Sequence, residues 1–369
     1  MAQRQFRSDD TSVWGEKYGN GRDGALSQNS ATDSTPNTNC SGSSGATSLS
    51  VGSGSGFANG DLILIHQSQG TGVGTWELNK IVSGGGTTTL TLAYPLTINY
   101  GSGAQVYKLF QYSTAQLNVG QVLTGNGWDG TKGGIYALMA CQSITIAGII
   151  NMNSTGYRGG SAGNNSNNYN TGATAGEGTT GQASSVNSSA ANTNGGGSGA
   201  ANLQGSSGGG NATTGGQVNG GSVVGNAELT VMVFGGGGAG LSRDTQGGIG
   251  TNGSGIVILI APRIKVTDAI SLSSATSTVA TSGSSPSASP GTGAAGNLLC
   301  KGQVIDLGTN LVNVVAAAPG GGSNSGGQGG LGRIHADYSE TVTGSAVGVT
   351  IDTRKDLTLA NNSAAAMLV

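Results

Sequence analysis

The chain has 369 residues, of which 72 are glycine; 9% are charged and the net charge is −2. Glycine thus stands near 20% against a usual ~7% and charge far below a usual ~25%, which removes the basic footprint of a nucleic-acid binder. No run of about 18 apolar residues is present that could span a bilayer as a helix, and glycine does not recur strictly at every third position, so with 6 prolines collagen is excluded too.

Residues 1–45 are rich in Ser, Thr, Asn and Asp and read as an extended arm without a core of its own. The opening "MAQRQFRSDDTSVWGEKYGNGRDG" lacks the apolar stretch of a secretory signal, so synthesis in a cytoplasm is expected. Residues 46–115 differ. "TSLSV", "GDLILIHQ", "TWELNKIV", "TTTLTLAYPL" and "AQVYKLFQY" are short β-branched runs set between Gly and Asn turns, at the spacing of a small antiparallel sandwich or barrel. Trp76, Tyr94, Tyr107 and Phe110 are assigned to its core or rim.

From residue 116 onward a repeat emerges when glycine is taken as the marker. "GIYALMACQSITIAGIINMNSTG" from Gly134, "GIVILIAPRIKVTDAISLSSATS" from Gly255, "GNLLCKGQVIDLGTNLVNVVAAAPG" from Gly296 and "GRIHADYSETVTGSAVGVTIDT" from Gly332 each read as strand, kink, strand. Such units cannot bury an apolar face alone and must stack on neighbours. The expected fold is therefore all-β: a small N-terminal sandwich or barrel, then over 116–369 a glycine-rich β-solenoid-like or stacked-sheet region, carrying a low-complexity insertion at about 157–226. The glycine runs between units are expected to be ordered, polyglycine-II-like segments whose missing side chains let main chains approach and bond laterally. Flexible Gly/Ser linkers are the competing reading.

Chemistry is sparse. "GNGRDG" at 19–24 matches a dinucleotide fingerprint only as chance allows at this glycine frequency, with no strand before it and no helix after. "GGSAG" at 159–163 and "GSSGG" at 205–209 lack the strand-to-helix elbow of a nucleophile. His66 and His335 alternate with aliphatics and read as strand residues. Cys40, Cys141 and Cys300 are too far apart for a metal motif or a disulfide framework, and no cofactor or metal site is expected. Glycan depolymerisation needs two carboxylates about 5–10 Å apart, for which Asp306, Asp337, Glu340 and Asp352 are candidates, with solvated positions as the better reading. The chain is accordingly expected not to be an enzyme. Tyr157, Arg158 and Tyr169 lie in Gly/Asn/Ser loops of paratope-like composition and are the candidate receptor contacts; their neutral setting suits a surface polysaccharide.

"GDLILIHQSQGTGVGTWELNKIV", "GWDGTKGGIYALMACQSITIAGIINMNSTGYRGG", "GGGGAG", "SGIVILIAPRIKV" and "GGLGRIHADY", in that order, resemble the glycine-rich tail-fibre and surface proteins of tailed phages, and also glycine-rich modules of secreted bacterial surface proteins. The resemblance implies a β-structured, non-enzymatic component of a virion tail or surface. The arm would join other virion proteins, the loops would meet host surface polysaccharide or protein, and a homo-oligomer, with a trimer favoured, would protect the sheet edges. A secreted bacterial adhesin or filament subunit is the alternative, and a glycan depolymerase the second.

Overall fold

A computed structural model of the chain describes residues 17–29, 31–164, 173–181, 192–197, 206–217, 219–243, 247–278, 280–282, 285–321 and 324–360. It is all-β, as the alternation of short apolar runs and glycine turns implies.

Six strands close an antiparallel barrel in the order Asn37–Ser41, Ser48–Val51, Thr89–Leu92, Trp76–Ser83, Leu62–Gln67, Ala104–Leu109. Strand side chains point alternately to opposite faces. Along Leu62–Gln67, Ile63 and Ile65 fill the barrel with Leu49, Ile81, Leu90 and Val106, while Leu62 and Leu64 enter a second core with Trp76 and Tyr107. Both faces are thus covered, which is why "LILIHQ" shows no polar alternation.

Among the described residues, twelve further strands form one large parallel sheet, and two small two-stranded pairs, Gly163–Asn164 with Ser242–Arg243 and Ala280–Ser282 with Ser285–Ala288, stand apart from it. The rungs of the large sheet stack in register: Ile135 pairs with Ile256, Ile256 with Asn297, and Asn297 with Arg333. After a corner, Ile144 pairs with Ile264, Ile264 with Ile305, and Ile305 with Val342. These are the four units marked by Gly134, Gly255, Gly296 and Gly332. Strand Ile256–Ile260 shows why parallel strands read as continuous apolar runs. Val257 and Leu259 enter the interior of the stack, whereas Ile256, Ile258 and Ile260 face the core shared with the barrel. The stack ends in two short strands, Leu26–Gln28 and Asp352–Lys355, the second carrying exposed Thr, Arg and Lys side chains that blunt an open edge.

Residues 1–45 differ from a separate arm over their described part. Leu26–Gln28 and Ala31–Thr32 pair with Gln111–Leu117 and Val122–Thr124 as rungs of the stack, and Asn37–Ser41 closes the barrel. The barrel is therefore an insertion between the first two rungs. Residues 1–16 of the expected arm lie outside the described residues.

Candidate functional site

The glycine-rich segments join the rungs at one end of the stack, and residues 235–240 form their centre. Their amides donate outward in a period of three. Gly235 and Gly238 donate to the carbonyls of Ser254 (2.9 Å) and Thr251 (2.9 Å), Gly236 and Ala239 to Gly210 (3.1 Å) and Ser207 (3.0 Å), and Gly237 and Gly240 to Glu177 (3.0 Å) and Thr174 (3.0 Å). The carbonyls of Gly235 and Gly238 accept from Tyr157 (3.2 Å) and Gly160 (2.9 Å), those of Gly236 and Ala239 from Ala294 (2.8 Å) and Gly291 (3.0 Å), and that of Gly237 from Gly196 (2.9 Å). The Gly240 carbonyl accepts from the Ser206 hydroxyl at 2.7 Å.

Three residues per turn with no internal bonds is the geometry of a polyproline-II-type helix, whose backbone groups must all find outside partners. Here neighbouring main chain supplies nearly all of them. Glycine is required for space: an added Cβ would lie 1.7 Å from the Asn194 carbonyl oxygen at Gly236 and 1.9 Å from that of Arg158 at Gly237. Neither position has a left-handed φ. Residues 235–240 are nested against neighbouring main chain, and the linker reading does not describe them.

The base of this lattice rests on an aromatic cluster. Trp128, Tyr157 and Phe234 meet with ring centroids 5.3–6.4 Å apart, against Ile135 and Ile256 of the stack and Trp76 of the barrel. Tyr157 has 0% exposure, and its hydroxyl donates to the Ser68 carbonyl. The expectation that it contacts a receptor is corrected: the "GYRGG" stretch reads as a polar loop locally, but aromatic rings from distant segments close over it. Tyr169 lies outside the described residues.

Arg158 is half-buried and bound. Its Nε and Nη2 donate to Glu177 at 2.8 and 3.0 Å, and its Nη1 to the Asp129 carbonyl at 3.3 Å. Glu177 is fully buried and also accepts from Trp128 Nε1 (3.2 Å), Gln69 Nε2 (3.0 Å) and the Arg158 amide (2.9 Å). Burial alone would raise its pKa; the hydrogen bonds from Arg158 and Gln69 outweigh that and hold it below the usual carboxylate range. Sequence reading missed Glu177 as an organising residue. The available signal was its isolation, since it is the one acid in the uncharged run 159–226, and a lone charge in such a setting must be exposed or paired.

Of the carboxylates considered for catalysis, Asp337 and Asp352 come together through His335. Its Nδ1 is 2.6 Å from Asp352 Oδ2 and its Nε2 is 3.1 Å from Asp337 Oδ1. Asp337 also accepts from Lys301 Nζ, and from Arg354 Nε at 2.7 Å. Asp337 and Lys301 are buried. Burial pushes the Asp337 pKa up, but His335, Lys301 and Arg354 together hold it well below the ordinary range. A carboxylate fixed as an anion does not serve as a proton donor, and glycoside cleavage needs one raised carboxyl. Asp306 instead binds the Gly308 amide (3.0 Å) and the Thr343 hydroxyl (3.3 Å), and Glu340 is exposed.

The second histidine ties barrel to lattice. The donor must be His66 Nε2–H, because its partner at 2.9 Å is the Met232 carbonyl; Nδ1 then accepts from the Ser68 hydroxyl at 2.7 Å. Complete burial lowers its pKa to about 4. Among the described residues no group of three or more His, Cys, Asp or Glu is arranged to hold a metal, and no helix is long and apolar enough to cross a membrane.

Described turns lie at both ends of the lattice: Gly178 bridges Gly181 beside Gln69 at the base, and others meet at the far end. Gly163–Asn164 pairs with Ser242–Arg243, Leu241 bridges Gly248, and Ala288 bridges Asn324. Residues 17–18 meet 359–360 beside Gln303 of the stack, where Lys17 Nζ donates to the Ala360 carbonyl (2.9 Å) and Tyr18 Oη to that of Leu359 (2.7 Å).

Compared with known proteins, the chain matches no family model and no curated protein. Among solved structures it has a remote similarity to the gp54 tailspike of Acinetobacter baumannii bacteriophage AP22, solved with A. baumannii capsular saccharide. The identity is 12% and the TM-score 0.19 over 90% of this chain and 62% of the tailspike. The chain thus spans less than two thirds of the protein it matches.

Proposed function

We propose that the chain is a structural, adhesive component of a tailed-phage particle, a tail-fibre, tail-tip or surface protein that presents the far end of the glycine lattice to a host surface polysaccharide or protein. One observation carries this reading: the central segment 235–240 is hydrogen-bonded on all sides, the turns at 163–164, 241–248 and 288 meet at its far end, and residues 17–18 meet 359–360 beside Gln303 of the stack. A rigid spacer of that kind holds turns away from an anchorage without the entropy cost that a flexible linker incurs on binding. The ordered motifs that resemble phage surface proteins give the context. The role proposed is non-enzymatic: Asp337 is engaged in ion pairs with Lys301 and Arg354, Asp352 meets it only through the intervening His335, and Asp306 binds Gly308 and Thr343 instead.

The test is attachment. Fluorescently labelled protein applied to a panel of bacterial strains should bind a subset saturably and compete with adsorption of the particle that carries it. Binding to none of the strains the particle infects would overturn the adhesive role. Light scattering on the purified chain tests the trimer. Release of reducing sugar from host capsule, lost on D337A, would establish the depolymerase reading instead.

A further inference from the structure

Beside the lattice base, an open groove of about 540 Å³ runs between the barrel rim and the turn that carries Thr131. That volume falls within the range of small-ligand sites. We propose that this groove binds a short neutral saccharide. The proposal rests on the surface-adhesion reading and names a ligand class and a place for it.

No charged side chain lines the groove. Its walls present hydroxyls and amides, among them Asn39, Ser41, Ser50, Ser102, Thr131 and Thr180. Among the described residues, the side chains of Ser41, Ser50 and Ser102 have no hydrogen-bond partner, so their donors and acceptors are open to a ligand. A polyhydroxylated neutral molecule matches such a surface, whereas an anion would find no cation and an apolar group would leave the hydroxyls unpaired.

The walls are also fixed in place. Gln67, with 0% exposure, donates from Nε2 to the carbonyls of Gln69 (2.6 Å) and Ser102 (2.8 Å) and accepts at Oε1 from the Gly101 amide (3.0 Å). One buried amide therefore locks both turns that frame the groove. The Gly70 amide donates to Thr179 O at 2.8 Å, tying the same wall to the lattice. Across the groove, Asp129 Oδ1 accepts from the Thr131 amide (2.7 Å) and hydroxyl (2.7 Å) and from the Lys132 amide (2.9 Å). Arg158, held by Glu177, braces this turn through the Asp129 carbonyl. It is a positioning residue for the groove. Preformed walls leave little ordering cost to be met on binding.

Gly101 offers a clean perturbation. No atom lies within 4 Å of an added Cβ there, and its φ is not left-handed, so the backbone accepts a side chain at this position of the groove lining and Gly101→Trp adds bulk to it. Gly321→Trp, equally open and outside the groove, is the control. The full chain is titrated with N-acetylchitotriose, mannotriose, maltotriose and a hyaluronan tetrasaccharide, followed by saturation-transfer NMR and calorimetry. At least one neutral trisaccharide should bind, with affinity at least tenfold weaker in G101W, unchanged in G321W, and with no binding of the hyaluronan fragment. No binding of any neutral trisaccharide, or binding undiminished in G101W, overturns the groove assignment. Cell attachment by the same proteins separates the two readings. Attachment without saccharide binding removes the groove and leaves the adhesive role, whereas saccharide binding without attachment removes the adhesive role and leaves the groove.

Discussion

Gly236→Ala tests the lattice at its centre. The added Cβ would lie 1.7 Å from the Asn194 carbonyl oxygen, so the 192–197 segment must retreat by more than 1 Å. That oxygen accepts from the Gly210 amide at 2.7 Å, and such a retreat carries the pair beyond bonding distance. Two buried groups are then stranded at about 1–3 kcal/mol each, and crowding adds about 1–3 kcal/mol. The expected loss is about 3–9 kcal/mol, a large share of the ~5–15 kcal/mol that holds a typical domain together. The matched comparison is Gly321→Ala, where no atom lies within 4 Å of the new methyl and the change should stay within ~0.5 kcal/mol. Urea titration followed by tryptophan fluorescence reads both, since Trp128 sits at the lattice base. A folded G236A variant within about 1 kcal/mol of the parent would refute the tight packing, as would rapid amide exchange across 235–240.

Three further outcomes follow from the base of the lattice. Glu177→Gln leaves Arg158 without its anion; because the Arg158 side chain keeps 41% exposure and can rehydrate, the loss should fall at or below the ~3 kcal/mol end of the range for a broken buried pair, measured by denaturant titration. His66, with a folded pKa of about 4 against an ordinary 6.5, takes up its proton only on unfolding between those values. Its contribution is therefore full above pH 6.5 and declines as pH falls toward 4, by about 3 kcal/mol. Comparing the pH dependence of unfolding in His66→Gln with that of the parent isolates this decline, and identical slopes over pH 4–6.5 would refute it. Tyr157→Phe removes the bond to the Ser68 carbonyl; a loss of about 1–2 kcal/mol with unchanged cell attachment is expected, and lost attachment in a protein of parental stability would return Tyr157 to the contact surface.

The repeat was legible because each unit's first glycine stacks on the one before. An added Cβ at Gly255 would meet the Gly134 carbonyl, at Gly296 that of Gly255, and at Gly332 that of Gly296, so the sterics of stacking write a glycine at every rung start. The rungs at Leu26–Gln28 and Gln111–Leu117 lack that mark, since they lie outside the glycine lattice, and they passed for arm and barrel. The cores were legible as continuous apolar runs, but which residue faces which core follows from the pleat and from what packs on each side.

Composition and spacing by themselves determined an all-β chain with stacked, glycine-marked units, because backbone space and strand alternation are local properties that residue type records directly. The barrel's place between two rungs, the burial of Tyr157, the pairing of Arg158 with Glu177 and the locked groove beside them were decided only by the tertiary structure. Each depends on main-chain and side-chain partners tens of residues away, such as Gly236 with Asn194 and Tyr157 with Ser68, and local residue patterns carry no term for who those partners are.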